Sequence, residues 1–255
     1  MPRVLRYGDD PVQYAELSLP TGPSTRLPVV VVLHGGFWKA AYGSELGAPL
    51  AEDLVRHGVA AWNVEYRRVG AGGGWPETLL DVAAAVDLLA TEGQAAAEGR
   101  LDLSKVVAVG HSAGGQLAAW TAARGRLPAG APGSQPLVPL AGAVSQGGVL
   151  DLARAYELGL GGGAVDRLLG GSPADVPERY AAASPVALAP LGVPVAAVHG
   201  RDDDVVPAEL SERYVAAAGD EARVVLLPGV GHFELIDPAH AAWAACREEV
   251  LRLTG

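Results

Sequence analysis

The chain has 255 residues, 49% of them hydrophobic, and a formal net charge of −10 at pH 7. This length and apolar content suit one large α/β domain, and no linker-like stretch divides residues 1–255, so we predict a single domain. The acidic balance argues against nucleic acid and anionic membrane surfaces as partners, because both attract basic proteins.

The start of the chain predicts a cytoplasmic protein. Residues 1–10 lack the apolar core of a signal peptide, and no apolar run in the sequence approaches the roughly 18 residues that a membrane span needs. Apolar and polar residues then alternate over Val4–Tyr7 and Val12–Leu19, which favours an antiparallel hairpin at one edge of a sheet.

Beyond the hairpin, short β-rich runs alternate with Ala- and Leu-rich segments, a pattern typical of strands joined by crossover helices in a mostly parallel sheet. The predicted strands are Pro28–His34, Val59–Glu65, Val106–Gly110, Leu140–Ser145, Val193–Gly200 and Arg223–Pro228. The predicted helices lie near Ser44–His57, Pro76–Ala90, Ala113–Arg124, Pro207–Ala218 and Pro238–Leu253. Proline opens three of these helices, at a position where its missing N–H costs nothing.

The first core strand ends in the sequence Leu33-His34-Gly35-Gly36-Phe37-Trp38. Glycines at the end of a buried strand expose backbone N–H groups at the carboxyl edge of a sheet, which is where α/β proteins bind their ligands. We therefore predict that amides in this segment can hold an oxyanion.

A second motif follows the strand 106–110, where Gly110-His111-Ser112-Ala113-Gly114 fits the pattern G-x-S-x-G. In this pattern a strand turns sharply into a helix and leaves the serine hydroxyl exposed. The residues after Ser112 are good helix formers, so the context of strand, turn and helix that the motif requires is present. Ser112 is the predicted nucleophile.

Residues 147–190 break the alternation of strands and helices. They are rich in Gly, Pro, Ala and Ser, with short helical patches at 150–156 and 164–169. An excursion of roughly 40 residues is too long for an ordinary connection between two strands, so we expect a small cap over the site.

A serine nucleophile needs a histidine to take its proton and an acid to orient that histidine. The strand 195–200 runs into Asp202-Asp203-Asp204, and the next strand is followed by Gly231-His232-Phe233. Both segments leave carboxyl ends of predicted parallel strands. The chain order Ser, Asp, His is the one expected of an α/β-hydrolase.

Taken together, Leu-His-Gly-Gly-Phe-Trp, Gly-His-Ser-Ala-Gly-Gly, His-Gly-Arg-Asp-Asp-Asp-Val-Val-Pro and Gly-Val-Gly-His-Phe resemble the α/β-hydrolases of the esterase and prolyl-oligopeptidase-like group. The resemblance extends from about residue 28 to the end of the chain. The form His-Gly-Gly-aromatic-Trp also resembles the kynurenine formamidases. These resemblances imply an α/β-hydrolase fold, with a mostly parallel central sheet flanked by helices and a small cap insertion.

The family pattern also selects among the three aspartates. Its triad acid is the fourth residue after the loop histidine and the fourth before the proline, which matches Asp203 from both His199 and Pro207. Asp202 and Asp204 stay open as alternatives. The expected catalytic residues are thus Ser112, Asp203 and His232.

The oxyanion hole is expected to use the N–H of Ala113, which follows the nucleophile, with one or both of the N–H groups of Gly36 and Phe37. Trp38 and Trp75 are candidates for lining a substrate pocket, although large aromatic side chains more often pack in a core.

Most of the remaining histidines are expected to be structural. We expect His34 to support the glycine-rich loop by hydrogen bonding and His111 to pack beside the serine, while His199 opens the loop of the acid. His57 and His240 are predicted on helices at the surface. No His-Glu-x-x-His and no close His/Cys pair occurs in the sequence, so no metal site is predicted.

The single cysteine, Cys246, falls in a helical pattern and is expected in the core. The expected function is hydrolysis of small carboxylic esters through a Ser-His-Asp triad and an acyl-enzyme, without a cofactor. Hydrolysis of an aryl formamide such as N-formylkynurenine is the alternative. A peptidase and a non-catalytic ligand-binding protein are further alternatives, and the expected partner is a small-molecule ester or amide.

Overall fold

The computed structural model of the protein describes residues 2–22 and 26–255. Eight strands form one sheet in the order β1-β2-β4-β3-β5-β6-β7-β8. They are β1 Arg3–Arg6, β2 Tyr14–Ser18, β3 Leu27–Leu33, β4 Ala60–Val64, β5 Leu101–His111, β6 Gly142–Gln146, β7 Val195–Gly200 and β8 Ala222–Leu227. The first two strands pair antiparallel, β2 runs antiparallel to β4, and all other pairs are parallel. The predicted edge hairpin and mostly parallel sheet are therefore confirmed.

The sheet is buried on both faces, which explains why its central strands are continuous apolar runs rather than alternating ones. Along β3, Val29, Val31 and Leu33 pack into one hydrophobic cluster, while Val30 and Val32 pack into the other. Successive side chains of a strand point to opposite faces, so a strand covered on both sides needs apolar residues throughout.

Ten α-helices are found among the described residues. They are α1 Ala48–Arg56, α2 Glu77–Asp87, α3 Glu92–Ala96, α4 Ala113–Ala123, α5 Leu152–Glu157, α6 Leu160–Leu169, α7 Pro177–Ala183, α8 Pro185–Leu188, α9 Glu209–Ala218 and α10 Ala241–Thr254. Helices α1 and α10 contribute to one hydrophobic cluster, and α2, α4 and α9 to the other. No helix in the described part of the chain is long and apolar enough to span a bilayer.

The helix and strand boundaries differ from the sequence prediction at several points. Strand β5 begins at Leu101 instead of Val106, because Leu101 pairs with Leu27 across a register irregularity that no sequence pattern reveals. The short helix α3 was not predicted. Single-turn segments of this length carry too few periodic residues to be recognised from sequence.

Residues 147–190, where the cap was expected, contain helices α5 to α8. Helix α6 has left-handed backbone angles at Gly161, Gly162 and Gly163, so its regular part begins at Ala164, as the sequence predicts. A Cβ on Gly161 would lie 2.7 Å from ring atoms of Phe37. The insertion therefore packs directly against the loop that follows β3.

Candidate active site

A cavity of about 150 Å³ opens at the carboxyl edge of the sheet. The loops after β3, β5, β7 and β8 converge there because parallel strands end on the same side. The cavity is lined by Gly36, Tyr42, Leu46, His111, Ser112, Val205, His232, Phe233 and Ile236. The structure thus brings Ser112 and His232 together although they are far apart in the sequence.

Ser112 occupies the turn between β5 and α4 with φ of 56° and ψ of −118°, a conformation that non-glycine residues rarely adopt. Its N–H donates to the carbonyl of Gln146 at 2.8 Å, which fixes the turn against β6. Two glycines permit this tight turn. A Cβ on Gly110 would lie 2.0 Å from the carbonyl oxygen of Gly114, and one on Gly114 would lie 2.1 Å from that of Leu33.

His232 and Asp203 form a buried pair beside the serine. The Nδ1–H of His232 donates to Oδ2 of Asp203 at 2.6 Å. This leaves Nε2 of His232 free to accept a proton. Within the described residues 26–255, Asp202 and Asp204 are exposed, and Asp203 alone of the three aspartates contacts the histidine.

The carboxylate of Asp203 is held on one side by its own loop, residues 201–207, which we call the aspartate loop, and on the other by two histidines. Its Oδ1 accepts the N–H groups of Val205 and Val206 at 2.9 and 2.8 Å. Nε2 of His199 lies 3.3 Å from Oδ2. Burial raises the pKa of Asp203, but the hydrogen bonds from His199, His232 and Val206 outweigh it and hold that pKa well below its ordinary value. The carboxylate is therefore charged at neutral pH.

Residues 34–42, which we call the glycine loop, form the opposite wall of the cavity. Gly36, Phe37 and Trp38 all have positive φ angles, of 104°, 51° and 55°. Gly36 also lies beneath Tyr42, since a Cβ on Gly36 would meet atoms of that side chain at 2.5 Å. Only glycine fits this position, because any side chain there would clash with Tyr42 and strain the backbone.

The structure places the three expected oxyanion donors around this loop and the turn at Ser112. Gly36 lines the cavity, and Phe37 follows it directly. Ala113 is the first residue of α4, where backbone N–H groups have no partner within the helix. The N–H groups of a helix start favour negative charge.

His111 lies between the serine and the catalytic histidine candidate. Its Nε2–H donates to the carbonyl of His232 at 3.0 Å, and the two rings lie 4.4 Å apart. Burial, and next the nearby charge of His232, lower the pKa of His111 to about 3. His111 is therefore a neutral donor that supports the position of His232, and its place beside Ser112 agrees with the packing expected from the sequence.

The two tryptophans proposed as pocket residues lie elsewhere. Trp38 is fully buried, and its Nε1–H donates to the side-chain oxygen of Gln116 at 3.1 Å. Trp75 borders a separate apolar cavity of about 450 Å³ between α7, α8 and residues 127–132. Within residues 26–255, neither indole lines the cavity of Ser112. Both predicted pocket residues therefore lie outside the Ser112 cavity, because Trp38 is buried in the core and Trp75 faces the separate cavity.

The apolar wall of the Ser112 cavity is built by residues that the sequence did not single out, namely Tyr42, Leu46, Val205, Phe233 and Ile236. Tyr42 and Phe233 are 45% and 65% exposed, so they form the rim. Phe233 had a usable signal, since it directly follows His232. The positions of Tyr42, Leu46 and Ile236 depend on how distant segments pack.

The remaining candidates have structural surroundings. His240 is the N-cap of α10 and accepts the N–H of Ala242 at 3.1 Å, while His57 ends α1. Nδ1 of His199 contacts the hydroxyl of Ser211 at 2.8 Å. Cys246 is fully buried, and burial raises the pKa of its thiol to about 12.

Comparison with solved structures shows the same fold. A truncated carbohydrate esterase from gut microbiota aligns with a TM-score of 0.78 and 22% identity over 98% of this chain and 95% of that chain. Esterase 2 of Thermogutta terrifontis with propionate bound gives a TM-score of 0.76 and 24% identity over 98% and 92% of the two chains. The bifunctional GH43-CE protein of Bacteroides eggerthii gives a TM-score of 0.82 with 23% identity, and the alignment spans 38% of that longer chain. These likenesses confirm the α/β-hydrolase fold.

Two curated relatives, both uncharacterized proteins of Mycobacterium tuberculosis, are 52% identical over 52 residues. This match spans 20% of the present chain and 18% of each relative. A family model covers far more of the sequence, since the BD-FAE model matches residues 15–217. The protein therefore belongs to the BD-FAE family.

Proposed function

We propose that the protein is a serine hydrolase that cleaves small carboxylic esters through an acyl-enzyme. One observation carries the proposal. The hydrogen-bonded pair of Asp203 and His232, joined at 2.6 Å, opens onto the same cavity as Ser112 at its strained turn. A nucleophile, a base and an orienting acid in this arrangement constitute the acyl-transfer triad.

In the first step, Oγ of Ser112 attacks the carbonyl carbon of the ester while Nε2 of His232 takes the hydroxyl proton. The resulting imidazolium is stabilised through Nδ1–H by the charged carboxylate of Asp203. The carbonyl π electrons move onto oxygen, which becomes an oxyanion. The N–H groups of Ala113 and Gly36, with Phe37 as a further donor, hold this oxyanion.

Collapse of the tetrahedral intermediate breaks the bond to the leaving alcohol, whose oxygen takes the proton from His232. Water then attacks the acyl-enzyme with His232 again acting as base, and the carboxylic acid leaves as Ser112 recovers its proton. Every proton in this cycle passes through Nε2 of His232. The cycle uses no metal or organic cofactor.

The cavity favours a short, uncharged acyl group. Its volume is about 150 Å³, and Leu46, Val205 and Ile236 contribute apolar wall. A long acyl chain would extend past the exposed rings of Tyr42 and Phe233 into water. The structural neighbour from Thermogutta terrifontis has been solved with propionate and with butyrate, which are acyl groups of this size.

Aryl formamide hydrolysis is the alternative suggested by the His-Gly-Gly-aromatic-Trp motif. The motif's tryptophan is buried in the core in this protein, and two of the three structural neighbours named above are esterases. These observations favour an ester over a formamide. Peptide hydrolysis and a purely binding role have no further observation in their favour.

The test is steady-state hydrolysis of p-nitrophenyl acetate, butyrate, octanoate and decanoate, with N-formylkynurenine measured in parallel. We expect kcat/KM to be highest for acetate or butyrate and to fall for the longer chains. Labelling by a fluorophosphonate, followed by peptide mapping, should place the adduct on Ser112, since only an activated serine reacts.

Ser112→Ala is the control for both assays. An unlabelled wild-type protein with no turnover would contradict the serine hydrolase and support a binding role. Faster turnover of N-formylkynurenine than of every ester would replace the esterase by the formamidase.

A further inference from the structure

His34, the residue after β3, is surrounded by hydrogen-bond acceptors on both sides of its ring. The ring is buried, with Nδ1 2.9 Å from the carbonyl oxygen of Gly35 and Nε2 3.2 Å from Oε1 of Glu65. A carbonyl oxygen can only accept, so Nδ1 must carry a proton. The Tyr66 hydroxyl cannot serve Nδ1 instead, because its one proton is directed at the carbonyl of His34 at 2.9 Å.

The hydrogen-bond partners of Glu65 favour its ionised form. Its Oε2 accepts the N–H of Ser44 at 2.9 Å, its Oε1 accepts the N–H of Tyr66 at 2.9 Å, and the Arg68 guanidinium lies 3.4 Å from Oε1. Burial raises the pKa of Glu65, but its hydrogen bonds outweigh burial, so the net shift is downward. The two backbone N–H donors favour the ionised carboxylate whatever the charge of His34. An ionised carboxylate also only accepts, so Nε2 of His34 must carry a proton as well.

The contact with Gly35 sets the direction of the next amide. In a trans peptide the C=O and the N–H point in opposite directions. When Nδ1 of His34 holds the carbonyl of Gly35, the N–H of Gly36 in the same peptide points away from His34. Gly36 lines the cavity of Ser112. A peptide between two glycines has no side chain to resist rotation, so this orientation depends on its hydrogen bonds.

We propose that His34 and Glu65 form a buried imidazolium–carboxylate pair that locks the Gly35–Gly36 peptide with the N–H of Gly36 directed at the Ser112 cavity. Both are positioning residues, and the inference rests on the proposed function because it gives that N–H the role of oxyanion donor. The stack of His34 on Tyr66, with ring centroids 4.3 Å apart, prevents the imidazole from turning.

The charged groups around the pair are of both signs. Arg68 lies beside Glu65, and so does the carboxylate of Glu45, since a Cβ on Gly43 would lie 2.5 Å from Oε2 of Glu45 and 2.6 Å from Oε2 of Glu65. Tyr66 and Tyr7 also face the pair, and the Tyr7 hydroxyl donates to the carbonyl of Glu65 at 2.7 Å. Burial raises the pKa of both phenols far above the ordinary value, so they stay neutral. The effect of the pair on the loop therefore rests on the hydrogen bond to Gly35 and not on a net charge of the cluster.

Two substitutions at His34 separate its two contacts. In His34→Asn the amide nitrogen takes the place of Nδ1 and keeps the donor to Gly35. In His34→Gln the longer side chain keeps only the contact with Glu65. We expect kcat for p-nitrophenyl butyrate to fall roughly 10²-fold in His34→Gln and by about 10-fold or less in His34→Asn, with KM changed by less than about threefold.

The rate of fluorophosphonate labelling should fall in the same order as kcat. Equal losses in both variants, or a loss confined to KM, would overturn the peptide lock. Near-ultraviolet circular dichroism confirms that both variants are folded before they are compared.

The ion pair has a test that needs no activity. In ¹⁵N spectra of histidine-labelled protein at pH 7, both ring nitrogens of His34 should be protonated, and in Glu65→Gln one of them should lose its proton. Asp87→Asn is the matched control, because it removes another carboxylate that pairs with a buried arginine, Arg124. A singly protonated His34 in the wild-type protein would overturn the proposal.

The proposed esterase activity and the His34–Glu65 pair are tested by different measurements. A wild-type protein that turns over no ester and takes no fluorophosphonate would end the proposed function, while the ¹⁵N spectra would still decide the ion pair. An active, labelled wild-type protein whose Glu65→Gln variant keeps full kcat would leave the esterase intact and remove the lock.

Discussion

The glycine loop and the aspartate loop both follow buried parallel strands and both face the same cavity, but different parts of the chain hold them. Asp203 is held by the N–H groups of Val205 and Val206, within its own loop. The glycine loop is held from outside, by Glu65 at the end of β4 and by Gln116 on α4. One oxygen of the acid is therefore fixed by hydrogen bonds within its own loop, whereas the side chains of His34 and Trp38 are fixed by residues distant in the chain. The backbone of the aspartate loop is also anchored to the neighbouring strand, because Arg201 donates to the carbonyl of Leu227.

The backbones of the two loops reflect this difference. The glycine loop has positive φ at Gly36, Phe37 and Trp38 in succession. This conformation costs free energy and persists only where the surrounding structure holds it in place. The aspartate loop has no positive φ among its residues. We therefore expect substitutions at Glu65 or Gln116, which lie far from the glycine loop in the chain, to disturb the proposed oxyanion donors.

The largest loss of activity is expected at Ser112, the residue on which both loops are proposed to act. Ser112→Ala should lower kcat by roughly 10⁴-fold or more, because only the oxyanion hole and binding remain. Adding Asp203→Asn to this variant should cause little further loss, because an acid that orients a base is useless without the nucleophile. A folded Ser112→Ala protein with near-normal turnover would show that neither loop serves this serine.

The next largest loss of activity is expected when the acid in the aspartate loop is replaced. Asp203→Asn should lower kcat by about 10³- to 10⁴-fold, because His232 loses the acceptor that fixes its tautomer. The exposed neighbours supply matched controls, since Asp202→Asn and Asp204→Asn should each cost well under about 10²-fold. Steady-state kinetics on p-nitrophenyl butyrate decides the order, and a greater loss at either neighbour would move the acid by one position.

A substitution that changes the shape of the glycine loop should lower activity less than loss of the acid. Gly36→Val should lower kcat by roughly 10²- to 10³-fold with much less effect on KM, because oxyanion donors act on charge that develops in the transition state. The new side chain would meet Tyr42, since a Cβ there lies 2.5 Å from that residue.

Gly58→Val is the control for the Gly36 variant, since Gly58 also has positive φ but has no atom within 4 Å of an added Cβ. It should cost stability and leave kcat unchanged. A folded Gly36→Val protein with unchanged kcat would place the oxyanion donors elsewhere.

The smallest effect concerns His111, whose pKa is lowered from 6.5 to about 3 in the folded protein. Unfolded chains bind a proton at this histidine below pH 6.5, and the folded protein does not until about pH 3, so stability is lost as pH falls through this window. Between pH 7 and pH 5 the loss is up to about 2 kcal/mol.

His111→Gln keeps a donor for the carbonyl of His232 but does not titrate, so its free energy of unfolding in urea should fall less over the same interval. The downward pKa shifts of Asp203 and Glu65 act at lower pH and are common to both proteins. Identical pH dependence in the two proteins would mean that the folded His111 does take up the proton.

Much of the fold could be predicted because it rests on local patterns. Continuous apolar runs gave the core strands, and proline positions marked three helix starts within a few residues. The boundaries of β5 and the short helices α3, α7 and α8 could not be predicted, since register with a neighbouring strand and packing of single turns are properties of the assembled sheet.

The candidate site was likewise predictable only where local patterns mark its residues. Local patterns singled out Ser112, His232 and the three aspartates as candidates, because a strand, a sharp turn and a helix impose glycine at fixed spacing and because chain order follows strand order. The position of Asp203 against His232 agrees with the spacing argument. Each motif taken singly lies in a short stretch of consecutive residues, so a local pattern is enough to find it.

The side chains that line the cavity and the contacts that hold the glycine loop could be identified only from the folded structure. Trp38 is adjacent to the site in sequence yet buried, while Tyr42 and Ile236 come from separate segments and line the cavity. Glu65 contacts His34 across 31 residues of chain. Burial and hydrogen bonding depend on distances between segments that are far apart in the chain. Those distances are set by how the sheet and helices pack, and no local sequence pattern reports them.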